Sequence, residues 1–144
     1  MKTKIKIKRL NPEAILPSYA HEGDAGMDIF SLENAVLQPG ERKTVPTGLS
    51  FEIPLGYEIQ IRPRSGLALN HGITLSNTPG TLDSGYRGEL KVGMINLSKE
   101  SYEVKKGDKI AQIVLAKHET AEIQEVQELS KTSRGNNGFG STGK

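Results

Sequence analysis

The sequence predicts an all-β fold of the barrel or jelly-roll kind, on three observations. Short runs alternate charged and apolar residues with period two, as strands do when one face meets water. Turn-forming residues recur between those runs. Glycine (16) and proline (7) are plentiful in the 144 residues, and no apolar pattern is long enough for more than a short helical turn. A chain of this length suits one domain and can bury roughly 68–70% of its unfolded surface.

Taken in order, Lys4 to Lys8 is the first predicted strand, with a basic residue interrupting each apolar one. It reads as a solvated, aggregation-resistant edge. The same interruptions leave no apolar stretch for a signal peptide or a membrane span, so a soluble cytoplasmic or otherwise intracellular protein is expected. Asn11-Pro12 is a turn, and Ala25 to Ile29 places Asp28 at a strand edge behind a Gly turn. Gln38-Pro39-Gly40-Glu41 and Pro54-Leu55-Gly56 are turns leading to a strand over Tyr57 to Ile61. Ser65 then opens the one expected helical turn, running to Asn70, and reads as its N-cap. Asn77 to Glu89, with its Pro79-Gly80 turn signal, reads as a long hairpin between two strands, the second over Leu90 to Ile95. Lys105-Lys106-Gly107-Asp108 turns the chain into a strand over Lys109 to Leu115. From Ser130 onward the composition becomes polar and Gly-rich. Residues 1–130 are therefore expected to form the β domain and residues 131–144 a mobile arm with too little apolar surface to fold alone.

Composition narrows the chemistry. Nineteen Lys and Arg against 17 Asp and Glu give a net charge of +2, too small to predict a nucleic-acid-binding surface. The absence of Cys excludes disulfides, thiolate metal sites and a Cys nucleophile. His21, His71 and His118 are scattered, without metal-ligand spacing and without a Ser/His/Asp order.

What remains is a set of oxygen and nitrogen groups suited to phosphate and to a flat polar ligand. Arg64, Ser65 and Gly66 follow a predicted strand and offer a guanidinium, a hydroxyl and main-chain donors to an anion, although capping alone would explain Ser65. The Asn77 to Glu89 loop packs Asn77, Gly80, Asp83, Tyr86 and Arg87 into one segment that can present main-chain groups to a ligand edge. Asp28 and Asp108 also suit structural roles, and Gln112 is a neutral donor on the last strand. Two readings stay open for the arm. Gly135, Gly138, Gly140 and Gly143, with Arg134, Ser141 and Thr142, suit an anion-wrapping clamp or simply an unstructured end. Phe139 favours docking, because a lone aromatic in a polar tail gains nothing unless it meets a flat or apolar surface. Gly138 to Lys144 meets most of the Walker A spacing but lacks the strand-loop-helix setting of a P-loop.

Five segments stand in order: AGMDI at 25–29, RPRSGLA at 62–68, NTPGTLDSGYRGE at 77–89, GDKIAQI at 107–113 and RGNNGFGSTG at 134–143. Together they resemble the five motifs of the homotrimeric dUTPases, dUTP diphosphatases. The resemblance implies a β jelly roll, hydrolysis of dUTP to dUMP and pyrophosphate, and a homotrimer with shared active sites. It further implies Mg²⁺ as cofactor and no nucleic-acid or membrane partner. Such an enzyme keeps uracil out of DNA and supplies dUMP for dTTP synthesis. By the same resemblance Asp83 positions and deprotonates the water that attacks the α-phosphorus. Arg64, Ser65, Gly66 and Gln112 contact phosphate, and Asp28 supports Mg²⁺ indirectly, through water. Asn77 and Gly80 belong to the hairpin that reads the uracil edge, and the Tyr86 ring packs on deoxyribose and excludes a 2′-hydroxyl. Arg134, Gly140, Ser141 and Thr142 close over the phosphates while Phe139 stacks on the base.

Two positions depart from the family pattern: Asn137 where many relatives carry Gly, and Asn70 where Lys is common. They bear on affinity more than on activity. Two rivals share parts of this reading. A dCTP deaminase-like enzyme of the same fold would use a Glu on the strand after the hairpin, where this chain has Leu90-Lys91-Val92-Gly93-Met94. A non-catalytic nucleotide-binding regulator would not need Asp83, Arg64 and Phe139 together.

Overall fold

Alternation along Tyr57 to Ile61 and along Leu90 to Ile95 sends every second side chain inward, and each run becomes a strand of a different sheet. The computed structural model describes residues 2–143, Met1 and Lys144 lying outside the described residues. In chain order the elements are β1 (Lys6–Arg9), β2 (Gly26–Phe30), β3 (Ala35–Leu37), β4 (Arg42–Glu52), β5 (Tyr57–Arg62), α1 (Ser65–His71), β6 (Ile73–Leu75), β7 (Gly80–Leu82), β8 (Glu89–Asn96), β9 (Tyr102–Val104) and β10 (Lys109–Lys117). Two four-stranded antiparallel sheets, β1-β4-β8-β6 and β2-β10-β5-β7, share one core, with β3-β9 as a small third pair. The fold is all-β, of the jelly-roll type.

Ile29, Val45, Leu49, Ile59, Val92, Met94 and Ile113 are fully buried between the sheets. Each such side chain stabilises the fold by about 1.5–3 kcal/mol relative to exposure. No buried side-chain nitrogen or oxygen among the described residues lacks a hydrogen-bond partner.

The longest strand is one the sequence pattern conceals. β4 spans 11 residues, but Pro46 and Gly48 interrupt its alternation, and its pairing with β8 shifts register between Pro46 and Ser50. Gly48 has φ +71°, and a Cβ there would lie 2.9 Å from the Ala14 Cβ. Only glycine fits both the left-handed backbone and the close approach. The bend turns Gly48 N–H toward Glu89 Oε2 at 3.1 Å and Ser50 Oγ toward the Arg87 carbonyl at 2.6 Å. The second half of β4 thereby grips the loop before β8.

Three further expectations change. β1 begins at Lys6 and pairs with β4, two residues later than the charge alternation placed it, because the apolar inward position available to β4 is Ile7 opposite Phe51. It is an edge strand, as its basic pattern requires. The segment Asn77 to Glu89 is not a simple hairpin. Its arms β6 and β8 do pair, Leu75 opposite Met94, but between them β7 crosses to the other sheet and pairs with β5, Leu82 opposite Ile59. Gly80 and Leu82 are both buried there, which provides the apolar reason for the crossing. Finally, Ser65 is the first helical residue of α1 and not its N-cap. Arg64, extended at φ −96° and ψ 133°, occupies the cap position, and no side chain caps the helix. Pro63 holds the preceding Arg62 to extended backbone, so the helix cannot begin before the proline.

Candidate active site

The residues singled out from the sequence fall into three groups. The first is a charged corner where β2, β10 and the β5–α1 connection meet. Register places Gln112 of β10 between Asp28 of β2 and Arg62 of β5. Gln112 Nε2 donates to the Pro63 carbonyl at 3.0 Å, and a Cβ on Gly26 would overlap Gln112 Oε1, so the glycine beside Asp28 makes room for the amide. The Asp28 carboxylate is largely buried, 15% exposed, and carries two cations: Lys109 Nζ at 2.9 Å and Arg64 Nε at 3.8 Å. Arg64 Nη1 also reaches the Lys109 carbonyl at 3.5 Å. Ser65 and Gly66 stand exposed beside this corner at the start of α1. Lys109 was not among the residues picked out by sequence. Its position directly after Gly107-Asp108 was the available signal, but its pairing with a residue 81 positions earlier is visible only in three dimensions.

The turn before Lys109 holds as expected: Asp108 Oδ2 accepts Lys105 N–H at 2.8 Å. Asp108 also bears on Tyr102 of β9, whose ring lies 5.1 Å from that of His71. Burial pushes the Tyr102 hydroxyl above its ordinary value of 10.0, Asp108 pushes it further, and Arg64 draws it partly back.

The second group surrounds a cavity of about 260 Å³ between β7, β8 and the loop joining them. Asn77, Gly80, Asp83 and Tyr86 all line it, over a floor that includes Ile61, Leu75 and Val92. Glycine is needed where the walls come close: a Cβ at Gly80 would lie 3.3 Å from Ile61 Cβ, and one at Gly93 3.3 Å from Asn77 Oδ1. Asp83 and Tyr86 flank a turn closed by Tyr86 N–H to the Asp83 carbonyl at 3.1 Å. The Tyr86 hydroxyl donates to the Glu89 carbonyl at 3.0 Å. Arg87, read from sequence as a surface charge, braces the loop: Nη1 donates to the carbonyls of Ser84 at 2.7 Å, Tyr86 at 3.2 Å and Phe51 at 3.4 Å. Its Nη2 lies 3.8 Å from Glu52, which also pairs with Lys6 at 2.6 Å. The Lys6 ammonium, and to a lesser degree the Arg87 guanidinium, hold the Glu52 carboxyl below the usual glutamate range.

The third group is the arm. β10 ends at Lys117, and residues 118–143 form no helix or strand. Local turns shape the end, with Asn137 N–H to the Arg134 carbonyl at 3.2 Å, Arg134 Nε to the Asn137 carbonyl at 3.0 Å and Ser141 N–H to the Gly138 carbonyl at 3.1 Å. Asn137 is not left-handed, so replacing the family's Gly there strains nothing; among the described residues the non-glycine with positive φ is Phe139, at 48°. The Phe139 ring is fully exposed, as are Ile123 and Leu129 farther back. Neither the corner residues nor Arg134, Phe139, Gly140, Ser141 and Thr142 line the cavity that holds Asp83.

This combination defines a class: a jelly-roll protein equipped to handle a nucleoside polyphosphate, with a base-sized cavity whose lining includes the carboxylates of Asp83 and Glu89, and with cations at the charged corner for phosphate. Comparison with known proteins gives the family. Residues 12–143 match the dUTPase family model. The deoxyuridine 5′-triphosphate nucleotidohydrolase of Nautilia profundicola is 60% identical over 98% of this chain and 99% of its own. That of Clostridium kluyveri is 60% identical over 95% and 96%. A solved structure of Staphylococcus bacteriophage 80alpha dUTPase with dUPNHPP superposes with a TM-score of 0.91 at 32% identity, covering 99% of each chain. The dUTPase of phage phi11, a TM-score of 0.83 at 28% identity over 90% of this chain and all of its own, has a structure that describes coordination of a structural Mg(II) ion. The chain belongs to the dUTPase family.

The residues present fit Mg²⁺ in one way only. Among the described residues no three His, Cys, Asp or Glu side chains gather to hold a metal, and both Asp28 oxygens already face cations. Such a donor set suits an ion that keeps its own waters and takes most of its ligands from phosphate. Among the described residues no helix is long and apolar enough to cross a membrane.

Proposed function

We propose that Asp83 aims and deprotonates the water that opens the α-phosphorus of dUTP, at a site completed by other copies of the chain. The chain is a dUTP diphosphatase: dUTP and water give dUMP and pyrophosphate. Consumption of dUTP limits uracil in DNA, and the product supplies dTTP synthesis. The observation that carries the assignment of Asp83 is its place, exposed at the rim of the cavity and joined to Tyr86 by one turn bond. An exposed carboxylate accepts a hydrogen bond from water but is a weak base, so its contribution is orientation as much as proton removal. The water oxygen bonds to the α-phosphorus, its proton passes to Asp83, and the bond to the bridging oxygen breaks with its electrons leaving on pyrophosphate. Charge on the leaving group is met by Arg64, Ser65, Gly66 and Gln112 at the corner and by Arg134, Ser141 and Thr142 of the arm. Mg²⁺ is the cofactor; bound with the triphosphate it neutralises phosphate charge, and Asp28 would hold it through water.

Asn77 and the main chain around Gly80 face the base, where uracil and cytosine exchange an acceptor for a donor. A site built for one pattern rejects the other by about 10⁴–10⁵ when polar groups are left unpaired. The deaminase alternative finds no inward acid on β8 beyond its first residue, Glu89: Leu90, Val92 and Met94 are the positions turned inward.

The homotrimer with shared sites is supported by separation within one chain: the corner and arm residues do not line the cavity, and Phe139 covers no part of its own barrel. Residues 1–130 then serve as the β domain and residues 131–144 as the arm that closes a neighbour's site. The test is pyrophosphate release from dUTP, dCTP, dTTP and UTP with and without Mg²⁺. Release confined to dUTP and dependent on Mg²⁺ is expected. Equal rates on all four, or ammonia from dCTP, would overturn the reading.

A further inference from the structure

The loop between Asp83 and Glu89 contains two glycines with different surroundings. Neither Gly85 nor Gly88 has positive φ, so backbone geometry requires glycine at neither position. A Cβ at Gly85 would meet nothing within 4 Å. A Cβ at Gly88 would overlap the Tyr86 hydroxyl oxygen and lie 2.6 Å from Cζ and 3.0 Å from Cε2 of the same ring. The Tyr86 side chain lies back across Gly88 because its hydroxyl donates to the carbonyl of the next residue, Glu89, at 3.0 Å. Side-chain bonds, from Arg87 Nη1 to the Ser84 carbonyl on one side and from Ser50 Oγ to the Arg87 carbonyl on the other, hold the loop beneath the ring. The nearest obstacle to a side chain at position 88 is therefore the Tyr86 ring.

The geometry points to Gly88 as the residue that sets sugar specificity, by leaving the bare backbone surface on which the Tyr86 ring is seated. This rests on the reading of Tyr86 as the ring that leaves no room for a ribose 2′-hydroxyl. Gly88 touches no substrate; it is a positioning residue, and it acts only through that ring. A methyl at this position forces the ring to swing away, because the phenol is the movable partner and the braced backbone is not. Displacement of a positioning group by about 1 Å can cost about 10²-fold in rate.

The test measures kcat and KM for dUTP and for UTP, in the presence of Mg²⁺, on the wild type and on G88A, G85A, Y86A and the G88A/Y86A double variant. G88A should lower the ratio of kcat/KM for dUTP to that for UTP by about tenfold or more. G85A, in the same loop but without the clash, should leave the ratio unchanged, and the double variant should match Y86A. If Y86A relaxes discrimination while G88A stays within about twofold of wild type, Gly88 has no such role although Tyr86 does. If Y86A leaves discrimination intact, the reading of Tyr86 fails and the role of Gly88 fails with it. Circular dichroism separates a folding defect: recovery of a misfolded G88A by the added Y86A change confirms the clash, and failure of both variants to fold overturns it.

Discussion

Asp83 is the residue on which the proposed chemistry turns, and its surroundings are spare: a turn bond at its carbonyl, an exposed carboxylate and a cavity wall. The Asp83→Asn variant keeps the shape and loses the charge that orients and accepts from water. Turnover should fall by about 10²–10⁴ with dUTP affinity little changed, measured as kcat by pyrophosphate release and binding by calorimetry with a non-hydrolysable analogue. Unchanged turnover would remove Asp83 from the reaction. At this scale much of the site was legible, because Asp83, Tyr86, Asn77 and Gly80 sit within ten residues of one another and line one cavity. Lys109 was not legible, since sequence shows a charge but not that it lies 2.9 Å from Asp28. Nor was the role of Arg87, whose four acceptors are assembled from one strand, β4, and a loop.

Elements with an uninterrupted period of two were found where expected, β2, β5 and β8, and β10 was found too although its alternation breaks at the register shift between Lys109 and Ala111. β4 was hidden by Pro46 and Gly48, which mark a break in most strands and here mark a bend that lets Gly48 and Ser50 hold the nucleotide loop. β3, β6, β7 and β9 have 3 residues each, too few for alternation to register, and each exists because a neighbouring strand supplies its hydrogen bonds. Short strands still matter to the site. β9 carries Tyr102 against His71, tying α1, and so Arg64 and Ser65, to the barrel. Because the hydroxyl of Tyr102 ionises less readily in the fold than in the unfolded chain, its stabilisation is complete below pH 10.0 and is lost as pH rises through the raised value. Thermal midpoints followed from about pH 9 to 11 should fall more steeply for the wild type than for Tyr102→Phe. Parallel curves would show that Tyr102 does not contribute.

The whole molecule presents an imbalance that a single copy does not resolve. Its core is closed and its buried polar side-chain groups are satisfied, yet the arm from residue 118 onward leaves Ile123, Leu129 and Phe139 exposed. In the proposed homotrimer a second copy of the chain would supply a surface to cover them. Composition alone could not show this: it revealed a polar, Gly-rich end but not where β10 stops or that the cavity and the charged corner do not meet. The most direct measurement is subunit complementation between Asp83→Asn and Arg64→Ala, each inactive alone, refolded together and confirmed as mixed oligomers by mass spectrometry. If each site draws its carboxylate and its guanidinium from different chains, about a quarter of the sites in random mixtures are intact, and dUTP turnover returns to that level. No recovery in verified mixed oligomers would place both residues of a site in one chain and contradict the account.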